Sequence, residues 1–313
     1  KLLSMNDLKE ITTNLESFNK SLEEMDAADN TMNSPICYSK IDTTRRLNEL
    51  EVHNFQKFID RDYKVTLPSP YLLTRSMWLR EITGKVYEGR KELGQDVIDL
   101  LKNEIRHLVE EGVKIIQIDE PILSEVVFTN EKADNSFYWG ALSEKVKVDK
   151  ELKFARELLE PVLEEIRKHD GVLSIMHVCR GNWTTDESVL LQGAYDKLGK
   201  FFDALDLDML ALEFSTPRAG EVEKLFSNNF LDTRVMLGFG CVNPRSEVIE
   251  TPEEIVSRVE ELLQFLPPER IWLNPDCGFA TFAKRPLNPY PIIQKKLENM
   301  VAASKILREK YCK

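Results

Sequence analysis

Short apolar runs rich in β-branched residues alternate along the chain with longer segments in which apolar residues recur every three or four positions. Several of the short runs are apolar throughout, as expected of parallel strands that are buried on both faces. The predicted strands span residues 63–67, 113–118, 172–176, 208–212, 234–239 and 270–273, with a weaker seventh at 36–39. The first 33 residues are polar, with a helical pattern and no clear opening strand.

The longer segments predict amphipathic helices. One of them ends at Gly112, a residue typical of helix C-termini. Another begins with Thr251 as N-cap, Pro252 in the first turn and Glu254 as the capping-box acid. A third contains Pro161, where we expect a kink or a restart, and the last helix runs from about residue 291 to 311. The predicted buried faces are Val97, Leu101, Ile105 and Leu108; Leu152, Leu158, Val162 and Ile166; and Ile255, Val259, Leu262 and Leu266.

Alternating strands and helices predict an α/β fold with a parallel sheet. Six or seven strand–helix units favour a (β/α)₈ TIM barrel. No glycine-rich phosphate loop follows any predicted strand, which weakens the dinucleotide-binding alternative. Because the number of predicted strands is one or two short of the eight of a barrel, we expect the first barrel strand to be absent from this chain. One barrel domain over residues 1–313, incomplete at its N-terminal end, is therefore predicted.

Composition narrows the classes of partner. The chain has 42 basic and 53 acidic side chains and a net charge of −11, which argues against nucleic acid and anionic membranes as partners. No apolar run approaches the roughly 20 residues of a membrane span. The five cysteines are odd in number and widely spaced. This pattern predicts a reducing, cytoplasmic setting in which each thiol serves packing or chemistry.

Side chains that can bind a metal follow three of the predicted strands. His177 and Cys179 follow residues 172–176, and positions i and i+2 of an extended segment face the same side. Glu213 follows residues 208–212, and Cys277 lies shortly after 270–273. In a barrel the C-terminal ends of the strands form one rim, so we expect these groups to converge. One histidine, two thiols and one carboxylate match a tetrahedral zinc shell.

Each of these groups also has a simpler interpretation. A single His-x-Cys pair at a strand end is more often packing than metal binding, and buried cysteine commonly behaves as a small hydrophobe. The joint placement at strand C-termini favours zinc. Cys37, Cys241 and Cys312 show no such pattern and are expected to be packing or surface residues, and His107 and His169 lie on predicted helices away from the rim.

Four segments in chain order carry a resemblance to a known family. They read IQIDEP at 116–121, HVCRGN at 177–182, ALE at 211–213 and NPDCGF at 274–279. Together they resemble the catalytic barrel of cobalamin-independent methionine synthase, and above all its short single-barrel relatives, the methionine synthase II family. The resemblance runs from about Lys64 to the C-terminus.

The resemblance implies a zinc-dependent transfer of a methyl group to the thiol of homocysteine, which forms methionine. The implied zinc ligands are His177, Cys179, Glu213 and Cys277. The chemistry agrees, because little of a free thiol is ionised near neutral pH and zinc coordination removes its proton. We expect the acceptor to displace Glu213, since a carboxylate is a harder and weaker partner for zinc than a thiolate.

The same resemblance assigns a catalytic role to Asp119, as the contact for the amino group of the acceptor. Glu120 is a weaker candidate for substrate binding, because adjacent residues of an extended segment face opposite ways. Arg180 and Arg218 also lie near the rim, either to bind an anionic group or as structural ion-pair residues.

The chain departs from the folate-using enzymes after the strand predicted at 234–239. Those enzymes carry a catalytic histidine there, whereas this chain reads GCVNP at 240–244. The donor therefore stays open between a methylcorrinoid, a methyl-folate and another methyl or alkyl donor. Two further functions stay open as well. One is alkyl transfer to another small thiol, such as the opening of an epoxide with coenzyme M. The other is a barrel with structural zinc and a binding role, in which no thiol can reach the metal.

Overall fold

The computed structural model describes residues 35–128, 147–280 and 286–312, which fold around one parallel sheet. The strands are β1 (Lys64–Pro68), β2 (Ile115–Asp119), β3 (Leu173–Val178), β4 (Met209–Glu213), β5 (Met236–Val242) and β6 (Ile271–Pro275). They pair in chain order, each parallel to its neighbour. This is the strand order of a barrel. Within the described residues β1 and β6 do not pair with each other, so the sheet forms an arc.

Helices follow most of the strands. The α-helices are α1 (Glu49–Phe55), α2 (Pro70–Met77), α3 (Arg80–Thr83), α4 (Arg90–Glu110), α5 (Ile122–Phe128), α6 (Val148–Arg167), α7 (Asp196–Asp203), α8 (Leu231–Arg234), α9 (Pro252–Glu260) and α10 (Tyr290–Tyr311). Short 3₁₀ turns span Glu187–Val189, Pro217–Ala219, Val222–Lys224, Glu261–Gln264 and Pro268–Arg270. Among these helices of the described residues, none has the length and apolarity that crossing a membrane requires.

The six strongly predicted strands are all present, and each ends further along the chain than its apolar run. β2 and β4 end in the carboxylates Asp119 and Glu213. The apolar pattern stops before these strand ends because the last residues of the two strands are polar and lie at the C-terminal edge of the sheet. Arg234, predicted as the start of a strand, ends α8 instead.

The seventh predicted strand, at 36–39, was wrong. This segment forms no ladder, and the backbone N–H of Cys37 bonds only the carbonyl of Met77 at the end of α2. The helical pattern predicted for residues 1–33 lies outside the described residues.

The helix predictions are largely confirmed. Gly112 adopts φ +86° just after α4, and the N–H of Val113 closes the turn on the carbonyl of Leu108. Thr251 forms the predicted capping box at the start of α9. α6 continues without a break through Pro161, which corrects the predicted restart. A proline removes only one helical hydrogen bond, and the apolar stripe packs on both sides of it.

Apolar side chains cover both faces of the sheet. Alternate strand residues such as Ile118 and Leu210 join the large core shared with the helices. On the opposite face Ile175, Met209 and Ala211 form a smaller cluster. This inner layer occupies the N-terminal and middle parts of the strands, so the C-terminal ends are left to polar groups.

β5 runs unusually close to both of its neighbours at Gly240. A Cβ atom there would lie 2.5 Å from Oδ1 of Asp276 and 2.6 Å from the carbonyl oxygen of Leu212. Glycine is therefore needed at this point for β4, β5 and β6 to approach one another.

We expect Gly240→Ala to lower the free energy of unfolding by about 1–3 kcal/mol, the usual result of overpacking a filled interior. Denaturant unfolding of the metal-free protein measures this. Gly89→Ala is the matched control, because Gly89 has an extended φ of −175° and nothing within 4 Å of an added Cβ. Its effect should stay within about 0.5 kcal/mol. Equal, small effects of the two substitutions would show that β5 can move away from its neighbours.

Candidate metal centre

The C-terminal ends of β3 and β6 bring an imidazole and two thiols together. His177 lies near the end of β3, Cys179 follows it, and Cys277 lies two residues beyond β6. One ligand atom from each of these side chains lies within 4.8 Å of the other two. Sγ of Cys277 is 3.5 Å from Nε2 of His177. Nitrogen and sulfur ligands on one tetrahedral zinc lie about 3.6 Å apart, so this spacing suits a shared zinc ion.

The histidine is oriented for metal binding. Nδ1 of His177 lies 2.9 Å from the carbonyl oxygen of Ala211. A carbonyl can only accept, so Nδ1 carries a proton and Nε2 is the ring nitrogen that faces the thiols and is available to a metal.

His177, Cys179 and Cys277 shift one another's pKa values, because they lie in contact and largely away from solvent. The low-dielectric surroundings lower the pKa of His177, but the hydrogen bond and charge of Cys179 outweigh this and raise it to about 9. The hydrogen bond from Cys277 lowers the pKa of the Cys179 thiol, while the same contact raises the pKa of Cys277. A divalent cation that binds such a site displaces the protons of the thiols and of the metal-facing ring nitrogen.

Glu213 lies beside this group and has its own partners. Its Oε1 is 3.6 Å from Sγ of Cys277, although Glu213 is not one of the three mutually close donors. Oε2 accepts the backbone N–H of Arg180 at 2.7 Å, and Oε1 lies 3.3 Å from Arg218 and 3.4 Å from Arg245. Burial raises the pKa of Glu213, but the three guanidinium groups outweigh it and hold this pKa below its ordinary value.

The two arginines noted in the sequence serve as buried ion-pair residues. The guanidinium of Arg180 donates to the carbonyl of Gly193 at 2.8 Å and 2.6 Å and lies 3.8 Å from the ring centre of Tyr195. Arg218 donates to the carbonyl of Leu191 at 2.9 Å as well as to Glu213. Both side chains are buried, which favours the structural alternative over an anion site.

Two functional side chains escaped the sequence analysis, Asp276 and Arg245. Oδ1 of Asp276 accepts the backbone N–H groups of Phe214 and Ser215 at 3.0 Å and 2.9 Å. Oδ2 accepts from Nη2 of Arg245 at 2.7 Å. The sequence carries a signal for each: Asp276 lies within the NPDCG motif, and Arg245 directly follows residues 240–244, where the folate-using enzymes carry a histidine.

Asp119 and Glu120 face different surroundings, as their adjacency predicts. Asp119 is half-buried at the end of β2, is the register partner of His177, and accepts a hydrogen bond from Gln117 at 2.6 Å. Glu120 is fully buried and accepts hydrogen bonds from the hydroxyl of Ser69 and the N–H of Ile122. Burial raises its pKa to about 7. Asp119 therefore stays the stronger candidate for substrate binding.

A cavity of about 660 Å³ lies at the edge of β6, away from this centre. It opens between β6, α9 and α10 and is lined mainly by apolar side chains such as Ile271, Val259 and Met300. None of the predicted site residues lines it.

Fold and site together define an α/β protein with a six-stranded parallel sheet and a potential metal centre at the C-terminal ends of its strands. The family model described as the catalytic domain of cobalamin-independent synthase matches residues 20–153 and 176–306. These two segments make up most of the chain, and the protein belongs to this family. The resemblance found in the sequence is thereby confirmed.

Curated relatives include the methionine synthases of Saccharolobus solfataricus and Sulfurisphaera tokodaii, which are 28% and 31% identical over 246 residues. These alignments cover 79% of this chain but only 58% and 57% of the relatives, so the chain spans under three fifths of their length.

Solved structures show the same fold. One is a B12-independent methionine synthase from Shewanella sp. W3-18-1 in complex with selenomethionine, with a TM-score of 0.64 and 19% identity over 85% of this chain and 68% of that one. Another is a putative vitamin-B12 independent methionine synthase from Listeria monocytogenes, with a TM-score of 0.61 and 14% identity over 99% of this chain and 90% of that one. The predicted α/β fold is thus confirmed.

Removing the charge of Glu213 should destabilise the metal-free protein. Glu213→Gln leaves buried guanidinium groups without their counter-charge, and breaking a buried ion pair from one side costs about 3–5 kcal/mol. Denaturant unfolding in the presence of a chelator measures the loss. Glu260→Gln is the control, since Glu260 pairs with Lys310 on the surface, and its effect should be much smaller.

The loss should also depend on pH. The folded-state pKa of Glu213 lies below its unfolded value of about 4.3, so its contribution is present above that pH. It disappears as the pH falls through the folded-state pKa, and wild type and Glu213→Gln should then converge. A difference that persists unchanged in acid, or equals that of the surface control, would contradict the ion-pair account.

Proposed function

We propose that this protein uses zinc to transfer a methyl group to the thiol of homocysteine, forming methionine. The observation that carries the proposal is the group of three donors, His177, Cys179 and Cys277, within 4.8 Å of one another at the barrel rim. An imidazole and two thiols suit zinc better than magnesium or calcium. Family membership and the relatives named methionine synthase support the same reaction.

The residues of the chain would divide the work as follows. His177, Cys179 and Cys277 would hold the metal, and Glu213 would be the fourth ligand, the one that yields to the acceptor. When bound, zinc supplies a Lewis acid that lowers the pKa of the incoming thiol. The acceptor thiol releases its proton to solvent and its sulfur forms a bond to the methyl carbon. The bond from that carbon to the donor breaks, and the donor keeps the electron pair and takes up a proton from solvent.

Asp119 would fix the acceptor by its amino group. Its carboxylate lies beside His177 in the sheet and is half-buried, so an ammonium group can reach it. Gln117 donates to Asp119 at 2.6 Å and accepts from Lys64 at 2.6 Å. This chain of hydrogen bonds orients the carboxylate before the acceptor binds.

For the donor we propose a methyl-folate, because the family description is cobalamin-independent. A methylcorrinoid, which the sequence left open because residues 240–244 contain no histidine, has no support in that description and serves as the comparison donor in the assay. The described cysteines are all free thiols, which suits the reducing cytoplasm that we propose as the compartment. We also retain the prediction that residues 1–313 belong to a single barrel domain.

The test is to measure zinc in the full-length protein and then assay methionine formation from homocysteine with methyl-folate and with methylcobalamin. Cys277→Ser should lose most of the zinc and all transfer activity, because it removes one of the two thiol ligands. Cys312→Ser, at an exposed cysteine, should change neither. Purified protein without zinc would refute the proposal. Tightly held zinc with no transfer from either donor would instead favour a structural metal.

Asp119→Asn should weaken acceptor binding and leave zinc content unchanged. A charge-assisted hydrogen bond is worth about 1.5–3 kcal/mol, so we expect KM for homocysteine to rise roughly 10- to 100-fold. Asp62→Asn is the control, because Asp62 pairs with Lys114 at an exposed position. An unchanged KM would remove Asp119 from the acceptor site, and a loss of zinc would point to a role in the metal centre.

A further inference from the structure

One buried guanidinium connects three parts of the metal centre. Nη2 of Arg245 donates to Asp276 at 2.7 Å, Nη1 lies 3.4 Å from Glu213 and 3.3 Å from Oδ1 of Asn182, and Nε donates to Glu187 at 3.1 Å. The side chain of Arg245 is 0% exposed. It therefore acts on the protein itself and not on a ligand in solvent.

These contacts hold Cys277 from both sides. Asp276 directly precedes Cys277, and its carboxylate is fixed by Arg245. Asn182 accepts from Arg245 and donates to the carbonyl of Gly278, the residue after Cys277, at 2.6 Å. The backbone that carries this thiol is thus tied on each side to one guanidinium, which also reaches the carboxylate of Glu213.

The loop that carries Arg245 is itself anchored. The backbone N–H of Arg245 donates to Oδ1 of Asn243 at 2.9 Å, and the N–H of Asn243 donates to Glu250 at 2.8 Å. Glu250 is held in turn by the fully buried Lys296 of α10 at 2.9 Å. Asn288 donates to the carbonyl of Pro244 at 2.5 Å. The guanidinium therefore extends from a fixed backbone, as a positioning group must.

We propose that Arg245 is a positioning residue that sets the geometry of the metal centre by fixing Glu213 and the backbone around Cys277. The proposal rests on the proposed function for the identity of the metal. Without Arg245, the carboxylates of Glu213 and Asp276 face each other with less positive charge between them, and the loop that carries Cys277 loses its tie to Asn182. The planar fork of arginine serves several acceptors at once, which a lysine ammonium on a flexible stem does not.

Two readouts test this, neither of which is activity. The first is zinc affinity, measured by competition with a chromophoric chelator. The second is the d–d absorption of the cobalt(II)-substituted protein, which reports the number and arrangement of ligands. Arg245→Gln should weaken zinc binding about 10- to 100-fold, the usual effect of losing an outer partner of a metal ligand. It should also change the cobalt spectrum.

Arg245→Lys keeps the buried charge and covers the case in which the glutamine variant does not fold. It should stay folded and still show an altered cobalt spectrum. Arg234→Gln is the matched control, since Arg234 donates to the carbonyls of Phe202 and Asp203 away from the metal centre. It should leave affinity and spectrum as in wild type.

The outcomes separate the two proposals. Wild-type protein that binds neither zinc nor cobalt overturns the proposed function and, with it, the role of Arg245. Wild-type protein that binds zinc, with unchanged affinity and spectrum in Arg245→Gln, overturns only the positioning role. Full recovery of both readouts by lysine would also overturn it, because charge alone would then suffice.

Discussion

Burial of the Glu213 carboxylate constrains the arrangement of the whole rim. The side chain is 1% exposed, and an isolated ion in such a place would cost several kcal/mol after relaxation. The charge is compensated by Arg180, Arg218 and Arg245, which follow β3, β4 and β5 respectively. Three strand-end loops must therefore converge on the end of β4. The loop after β3 that takes part in this convergence also carries Cys179, and the segment after β6 brings Cys277 to the same place.

A steric constraint complements the electrostatic one. At Gly238 and Gly240, β5 has no side chain toward its neighbours, where added Cβ atoms would meet Asn274, Asp276 and the backbone of β4. β4, which ends in Glu213, and β6, which Cys277 follows by two residues, are separated only by β5. Close approach on both sides of that strand is what allows a 3.6 Å contact between these two residues.

The strands and the close approach of His177, Cys179 and Cys277 could be predicted from the sequence because both depend on local patterns. An apolar run with a polar end marks a buried parallel strand and its rim, and His177 and Cys179 occur within three residues. The segment at 36–39 was misjudged because a short apolar run alone does not show whether a neighbouring strand is available to pair with it. Arg245 and Asp276 could not be assigned, since their partners come from loops far apart in the chain. Only the folded structure shows that the guanidinium of Arg245 contacts four side chains, those of Asn182, Glu187, Glu213 and Asp276.

The partners of Glu213 bear on the difference between a catalytic and a structural zinc. A structural site is closed by four protein ligands, each of which would be left without a partner on leaving the metal. Glu213 would face no such consequence on leaving a bound metal, because a backbone N–H and three guanidinium groups already satisfy its carboxylate. Among the described residues the two thiols have fewer cationic partners, His177 beside Cys179 and Arg245 near Cys277, so they would be the costlier ligands to release. If zinc binds here as proposed, an incoming thiol would exchange most readily with Glu213, and this asymmetry among the ligands would favour transfer chemistry over a purely structural metal.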